Sequence, residues 1–363
     1  MTTTFDIAIV GAGMAGASLA AALGARARVL MLEAEDQPGY HATGRSAAFW
    51  SETYGGPGVQ PLTSASESAL REGGFLAPLG SVQIGRASDA ARIDAFLASF
   101  ARSSVPLARV DPAAYIPGLK PDWTLGISEP TCAYIDVAAL HAFYLANARR
   151  AGVEIVTRAG LRRASRANGR WLLETHAGSF SASVLVNAAG AWADEVAAAA
   201  GARPLGIRAY RRTLVQLRTD PPAPATMPHV ADISGNFYFK PEAGGRVWLS
   251  PHDETPAAPG DAAPEELDVA IAIDRLEQVV DWKITTVERS WAGLRSFAPD
   301  RLPVYGFDPL VPGFFWCAGQ GGFGIQTAPA GAAIAASLLL GEPLGEGYAG
   351  IDRLQYAPGR FAP

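Results

Sequence analysis

Two short apolar runs with no polar face open the chain. FDIAIV at 5–10 and VLML at 29–32 lack the alternation of a half-exposed strand, and continuous runs of this kind are how buried parallel strands read. Between them GAGMAG is followed by ASLAAALGA, whose composition favours helix. Together they predict a βαβ unit near the minimum length that a parallel crossover allows. An apolar run leading into small residues returns in SVLVNAAG at 183–190. It returns again at the C-terminal end, where GFFWCA leads into a glycine loop, a helix and Gly341. VAALHAFYLANARR at 137–150 has helical spacing and is closed by Gly152, while VEIVT and RWLLET read as further strands of the same lobe.

Residues 75–135 and 206–299 are patterned differently. Prolines separate short runs, SVQIG at 81–85 reads as an antiparallel strand, a helix is expected near 88–101, and TLVQL and NFYFK alternate as strands do. The expected fold class is therefore α/β. A discontinuous, Rossmann-type dinucleotide-binding lobe is assembled from 1–74, 136–205 and 300–363. An α+β lobe with a mainly antiparallel sheet, from 75–135 and 206–299, interrupts it.

Composition narrows the classes. At 363 residues, 49% hydrophobic and 18% charged, the chain has ordinary globular composition with room for two lobes. A net charge of −5 argues against nucleic acid as a partner, since phosphate binding draws on clustered Lys and Arg. The two cysteines, Cys132 and Cys317, make neither a disulfide framework nor a metal-ligand pair, so no metal is expected. The N-terminus lacks a basic leader, and no run approaches the ~20 apolar residues of a membrane span, which points to the cytoplasm.

The chemistry lies in the glycine loops. Gly11, Gly13 and Gly16 form GxGxxG, with Ala15 inside the loop, between the first strand and helix. Gly11 permits the tight turn, Gly13 lets backbone approach a pyrophosphate, and Gly16 allows close helix packing. Glu33 ends the second strand, where a carboxylate accepts hydrogen bonds from a ribose diol and disfavours a phosphorylated one. These features leave NAD and FAD both open. GYHATGRSAAFW at 39–50 separates them, because only FAD extends past this point. Thr43, Gly44, Arg45 and Ser46 then supply hydroxyls, amides and close approach, and Ala47 and Ala48 are expected to start a helix beneath the flavin. A second glycine loop, Gly321, Gly322, Phe323, Gly324, Ile325 and Gln326, leads into a helix and presents amides to the ring. Ala189, Gly190 and Trp192 in NAAGAW form another piece beside the cofactor, and Ala34 and Gly160 are assigned to the same cofactor edge. His41 adjoins the 43–48 loop, and Cys317 precedes the second glycine loop.

GAGMAG with Glu33, HATGRSAA, VNAAGAW, WAGLRSF and QGGFGIQTAP, in this order, resemble the FAD-dependent D-amino acid oxidase superfamily, most of all its bacterial D-amino acid (D-arginine-type) dehydrogenase branch. The resemblance implies noncovalent FAD and oxidation of an amino acid at Cα by hydride transfer to flavin N5. The imino acid then hydrolyses in water. It also implies that Arg212 and Arg295 hold the substrate carboxylate, that Tyr238 hydrogen-bonds the substrate and that Tyr54 lies in a loop covering the site. Arginine suits that task because its planar donors bind carboxylate at two points. Two positions depart from the pattern. Ser81 stands where the arginine-oxidising relative has an acidic residue, so a neutral or apolar substrate is expected over a cationic one. Phe49 stands where that relative has a histidine, and with Trp50 it reads as a wall of an apolar pocket or as helix core. An N-methyl amino acid, a 2-hydroxy acid and a noncatalytic FAD-binding subunit remain as alternatives. The electron acceptor stays open among oxygen, a quinone and a carrier.

Overall fold

The computed structural model describes residues 4–361, so the start of the N-terminal reading, residues 1–3, lies outside the described residues. Thr4–Val10 pairs in parallel with Val29–Leu32 on one side and with Gly178–Asn187 on the other. Phe314–Ala318 extends the parallel sheet beyond Gly178–Asn187, and Glu154–Val156 extends it beyond Val29–Leu32. The register sets Val10 beside both Leu32 and Asn187, and Asn187 beside Trp316. The loops at 11–16, 188–192 and 319–324 therefore leave the carboxyl edge of neighbouring strands, where open α/β sheets bind their ligands.

Both faces of this sheet are covered, which explains why its strands carry no polar stripe. Helices Met14–Leu23 and Ala328–Leu340 and part of Val137–Arg150 close one face around Ile7, Ile9, Val29 and Phe315. Alanine and glycine keep these helices close: a Cβ on Gly331 would come within 2.5 Å of the Tyr305 hydroxyl. Ala328–Leu340 ends at Gly341 in the left-handed conformation, φ +67°, as a glycine C-cap does. The antiparallel pair Leu161–Ala167 and Arg170–Thr175, with helix Ala193–Ala199, covers the other face.

A second sheet of ten strands is built around the long antiparallel pair Arg208–Asp220 and Lys283–Phe297. Ser81–Gly85 joins it, antiparallel to Leu125–Glu129 as expected and parallel to His229–Asp232. Side chains alternate across a strand. Val215, Leu217, Phe239, Val247 and Leu249 pack with helix Glu266–Glu277 on one face. Leu214 and Tyr238, on the other, meet Ala47, Phe49 and Cys132.

The expected helix from Ala47 is not formed, and Phe49 and Trp50 are not helix core. Gly44 N–H closes a turn on Gly39 O at 2.7 Å, and the Ser46 hydroxyl accepts from Ala48 N–H at 3.1 Å. Phe49–Trp50 then forms a short strand against Ala133–Ile135, which also pairs with Leu76–Pro78. Burial decides the outcome: Trp50 is fully buried and its indole donates to Thr63 O at 3.1 Å, so tertiary packing overrides the helical composition. The helix that follows begins only at Gln60.

Gly11 has φ +102°, and a Cβ there would lie 2.5 Å from Ala188 O. Gly11→Ala is expected to lower stability by at least ~1–3 kcal/mol and to reduce cofactor retention. Thermal unfolding and the flavin content of the purified protein measure the two effects.

Candidate active site

The loop after the first strand is held from three directions. Ala12 N–H donates to the Glu33 carboxylate at 2.9 Å, Met14 N–H donates to the Thr43 hydroxyl oxygen at 3.0 Å, and His141 Nε2 lies 2.9 Å from Ala12 O. Burial lowers the pKa of His141, which favours the neutral ring. Glu33 also accepts from Glu35 N–H at 3.0 Å, so each of its oxygens has one partner and keeps a lone pair for a ribose. Thr43, expected as a donor to phosphate, caps the Met14–Leu23 helix with its oxygen and keeps its proton to donate.

The space before these groups suits a dinucleotide. Gly13 faces Thr43, and a Cβ there would approach its hydroxyl to 3.3 Å. Gly190, φ +56°, has nothing within 4 Å of the place a Cβ would take, and the Ala188–Ala189 turn is stitched by Asn187, whose amide donates to Ala193 O at 2.7 Å. Gly16 lies against Gly11 O, and Ala15 follows Met14 into the helix. Ala34 and Gly160 are neighbours, 3.6 Å between one Cβ and the place of the other. The Trp192 ring packs on His41 at 4.6 Å, and His41 in turn meets Glu35 at 2.9 Å. Arg45 is directed elsewhere: its guanidinium pairs with Asp261 and donates to Ala262 O at 2.8 Å. Cys317 lies in the core under the helices, where burial pushes its thiol up to about 12.

The residues expected to meet a substrate, Tyr54, Arg212, Tyr238 and Arg295, come together from four separate stretches of chain. Arg212 and Arg295 stand on the paired strands Arg208–Asp220 and Lys283–Phe297, where Tyr210 is opposite Arg295 and Arg212 is opposite Gly293. Both are buried. Arg295 donates to the Tyr54 hydroxyl at 3.2 Å and to Glu254 at 2.7 Å. Arg212 donates through Nε to Asp253 O at 3.0 Å, and its guanidinium carbon lies 5.9 Å from the centre of the Tyr238 ring. Arg212 Nη1 and Nη2 and Arg295 Nε are buried without a partner among the described residues. Burial, then the charge of Arg295, lowers the pKa of Arg212. Burial raises that of Tyr238, with Arg212 opposing the rise. Partial burial pushes Glu254 upward, but Arg295, Arg301 and Arg212 bring it below the usual carboxylate range.

The second glycine loop closes this clamp. A Cβ on Gly322 would fall 2.6 Å from the Tyr54 hydroxyl and 3.2 Å from Arg295 Nη1, so only glycine fits. Phe323 packs edge-on to Tyr54 at 5.1 Å. Gly321, φ +56°, abuts the Phe297 ring, and Gly324 faces Gln320. Ile325 packs beside Trp50 and Met14. Gln326 was assigned to the cofactor, yet its amide holds the Tyr54 loop: Nε2 donates to Tyr54 O at 3.1 Å and to the Thr63 hydroxyl at 2.9 Å, and Oε1 accepts from Ser51 N–H at 3.2 Å.

Several residues of this site carried no local signal in the sequence. Glu129, buried, accepts from Ser51 and Thr53 hydroxyls at 2.9 and 2.6 Å and from Glu52 N–H at 2.7 Å, fixing the same loop from the second sheet. Ser81 Oγ lies 3.0 Å from His229 Nδ1. The His229 ring packs against Phe49 at 4.1 Å and Tyr238 at 5.5 Å. Burial, then the charge of Lys240, takes His229 down to about 3. His252, beside Tyr238, is also taken down to about 3, by burial and then by Arg212 and Arg295. A polar residue inside a strand or loop reads as solvated until the sheet pairing is known.

Residues 6–338 match the family described as DAO, FAD dependent oxidoreductase. The chain is 32% identical over 178 residues to the bovine (Bos taurus) FAD-dependent oxidoreductase domain-containing protein 1, covering 44% of this chain and 36% of that protein. It is 26% identical over 192 residues to hydrogen cyanide synthase subunit HcnC of Pseudomonas aeruginosa PAO1, covering 51% and 44%. The matched region thus spans less than half the length of these relatives. Among solved structures, L-proline dehydrogenase of P. horikoshii superposes with TM-score 0.85 at 19% identity, covering 99% and 98% of the two chains. Glycine oxidase of Geobacillus kaustophilus gives TM-score 0.81 at 22% identity, covering 94% and 96%. At such identities the likeness is one of fold, and these neighbours do not single out the D-arginine-type branch.

The depressed pKa of His229 has a stability consequence. The unfolded imidazole titrates near 6.5 and the folded one at about 3, so its contribution is complete above pH 6.5 and is lost as pH falls through that window. The loss is expected to reach a few kcal/mol. His229→Gln should flatten the decline of the unfolding midpoint between pH 6.5 and 4, measured by denaturant titration across pH.

Proposed function

The chain belongs to the DAO family of FAD-dependent oxidoreductases, and we propose that it oxidises an α-amino acid with a neutral or apolar side chain, of D configuration as the sequence resemblance implies. The carrying observation is the pair of buried guanidiniums with N–H groups, Arg212 Nη1 and Nη2 and Arg295 Nε, that have no hydrogen-bond partner among the described residues. Arg295 pairs with Glu254 at 2.7 Å, and Arg212 lies 3.7 Å from both the Glu254 and the Asp253 carboxylates. A substrate carboxylate fills the donors left over, and binding of this kind is strong where water is excluded. Arginine fixes both position and orientation of the plane, which is most of what the reaction asks of the protein.

The other residues follow from that anchor. Tyr54 is locked by Arg295, Gln326 and the Glu129-bound loop, so its ring forms a fixed wall rather than a free flap. Tyr238, held protonated, offers a hydroxyl to the substrate. Phe49, Leu214 and Cys132 pack as an apolar cluster beside Tyr238 and Tyr54, and the Glu129 carboxylate opposite Ser81 is committed by three bonds to the 51–54 loop rather than to a cationic side chain. The Gly11–Gly16 loop, Glu33, Thr43 and the Asn187–Trp192 turn would hold FAD, whose chemistry would supply the acceptor for a hydride from the substrate Cα. Loss of that hydride and of a proton on nitrogen forms the C=N bond of the imino acid. Water then adds to give the oxo acid and ammonia.

A panel of D-, L-, N-methyl and 2-hydroxy acids, followed anaerobically by loss of the visible flavin absorbance, tests this reading. Neutral D-amino acids are expected to bleach the flavin; bleaching by hydroxy acids alone would overturn it. Arg295→Met should retain FAD and lose about 100-fold or more in kcat/KM. Unchanged kcat/KM would remove Arg295 from the clamp. The reduced enzyme exposed to air, assayed for peroxide, separates oxygen from a quinone or carrier as acceptor.

A further inference from the structure

His229 has a buried nitrogen that the clamp does not use. The residue is 2% exposed, Nδ1 faces Ser81 Oγ at 3.0 Å, and Nε2 has no partner among the described residues. A buried polar atom left unpaired loses its hydration with nothing in return, and natural proteins keep few of them. The two rings that flank this imidazole also border the arginines. Tyr238 lies 5.5 Å from the His229 ring and 5.9 Å from the Arg212 guanidinium carbon. Phe49 lies 4.1 Å from the His229 ring and 5.2 Å from Tyr54, whose hydroxyl meets Arg295. His229 thus stands one ring beyond the clamp, beside Ser81.

We infer that His229 reads the end of the substrate side chain, through a hydrogen bond from Nε2 to a neutral polar group, and that the preferred substrates carry a side-chain carboxamide rather than a plain hydrocarbon. The inference rests on the carboxylate clamp proposed above. A serine hydroxyl can donate to or accept from Nδ1, so either tautomer is open to Nε2, and a carboxamide presents both a donor and an acceptor to it. A charged end is poorly matched. The imidazole stays neutral in its buried setting, and Lys240, between the Tyr134 and Trp248 rings and paired with Glu242, repels a cation from the same face. A hydrocarbon end leaves Nε2 without a partner, and sites built to hydrogen-bond a substrate reject the analogue lacking that group.

The test compares side chains of similar shape on the FAD-loaded enzyme: D-asparagine against D-leucine, D-glutamine against D-methionine, and D-glutamate against D-glutamine. The amides are expected to lead by about 10-fold or more in kcat/KM, chiefly through KM. His229→Phe should bring the amide-to-hydrocarbon ratio to about one, and His229→Gln should restore part of it. Ratios within one preparation cancel any loss of folded enzyme. A preference for leucine, methionine or glutamate in the unaltered enzyme, or a ratio that His229→Phe leaves unchanged, overturns the inference. If no D-amino acid reduces the flavin, the D-amino acid reading above fails by itself. The same pairs, titrated as ligands through perturbation of the flavin spectrum, then give the ratio that decides the role of His229.

Discussion

Two guanidinium groups buried side by side are the constraint on which the site depends. Like charges in the interior repel, and each has left its water behind. Glu254 and the Asp253 carboxylate offset part of this and Asp253 also supplies a backbone carbonyl, but the sheet presents Arg212 and Arg295 with donors left over. An arrangement of this kind is stable only while the surrounding strands hold it, which the long Arg208–Asp220 and Lys283–Phe297 ladder does. Its stored cost is also its selectivity, because an anion of the right shape is the ligand that relieves it.

The rest of the pocket is assembled by groups that join distant parts of the chain. Residues 51–54 are bonded to Glu129 from the antiparallel sheet and to Gln326 from the C-terminal glycine loop. Tyr54 is therefore tied to both the antiparallel sheet and the C-terminal glycine loop, and Gly322 lies against it and Arg295. Such a junction explains why the polar side chains of Glu129 and Gln326 are buried and held by several hydrogen bonds each.

Much of the fold was legible because parallel strands buried on both faces leave an unmistakable apolar run, and because glycines follow each run. The elements at 4–32, 137–150 and 314–341 lie where the pattern put them, and the run read from 183 is the end of a longer strand, Gly178–Asn187. The misreading came at Ala47–Trp50, where helix-forming composition was outweighed by strand partners at Ala133 and Tyr134 that no local window contains. The arginine and tyrosine pairs were legible only through motif resemblance. His229, Glu129 and Glu254 were not legible at all, since a polar residue acquires meaning from what lies across the sheet: Ser81 beside His229, and Glu129 opposite Ser81. Gln326 adds what no motif shows, an amide bonded to Ser51, Tyr54 and Thr63.

The Thr43 cap on the Met14–Leu23 helix bears on how the enzyme is assembled. Because a threonine oxygen, the Glu33 carboxylate and a histidine already satisfy the backbone of the glycine loop, the loop holds its shape before any phosphate arrives. Those three partners come from separate stretches of the chain, so the shape of the loop is a property of the fold as a whole, and a change at Glu33, Thr43 or His141 is felt where the first strand ends.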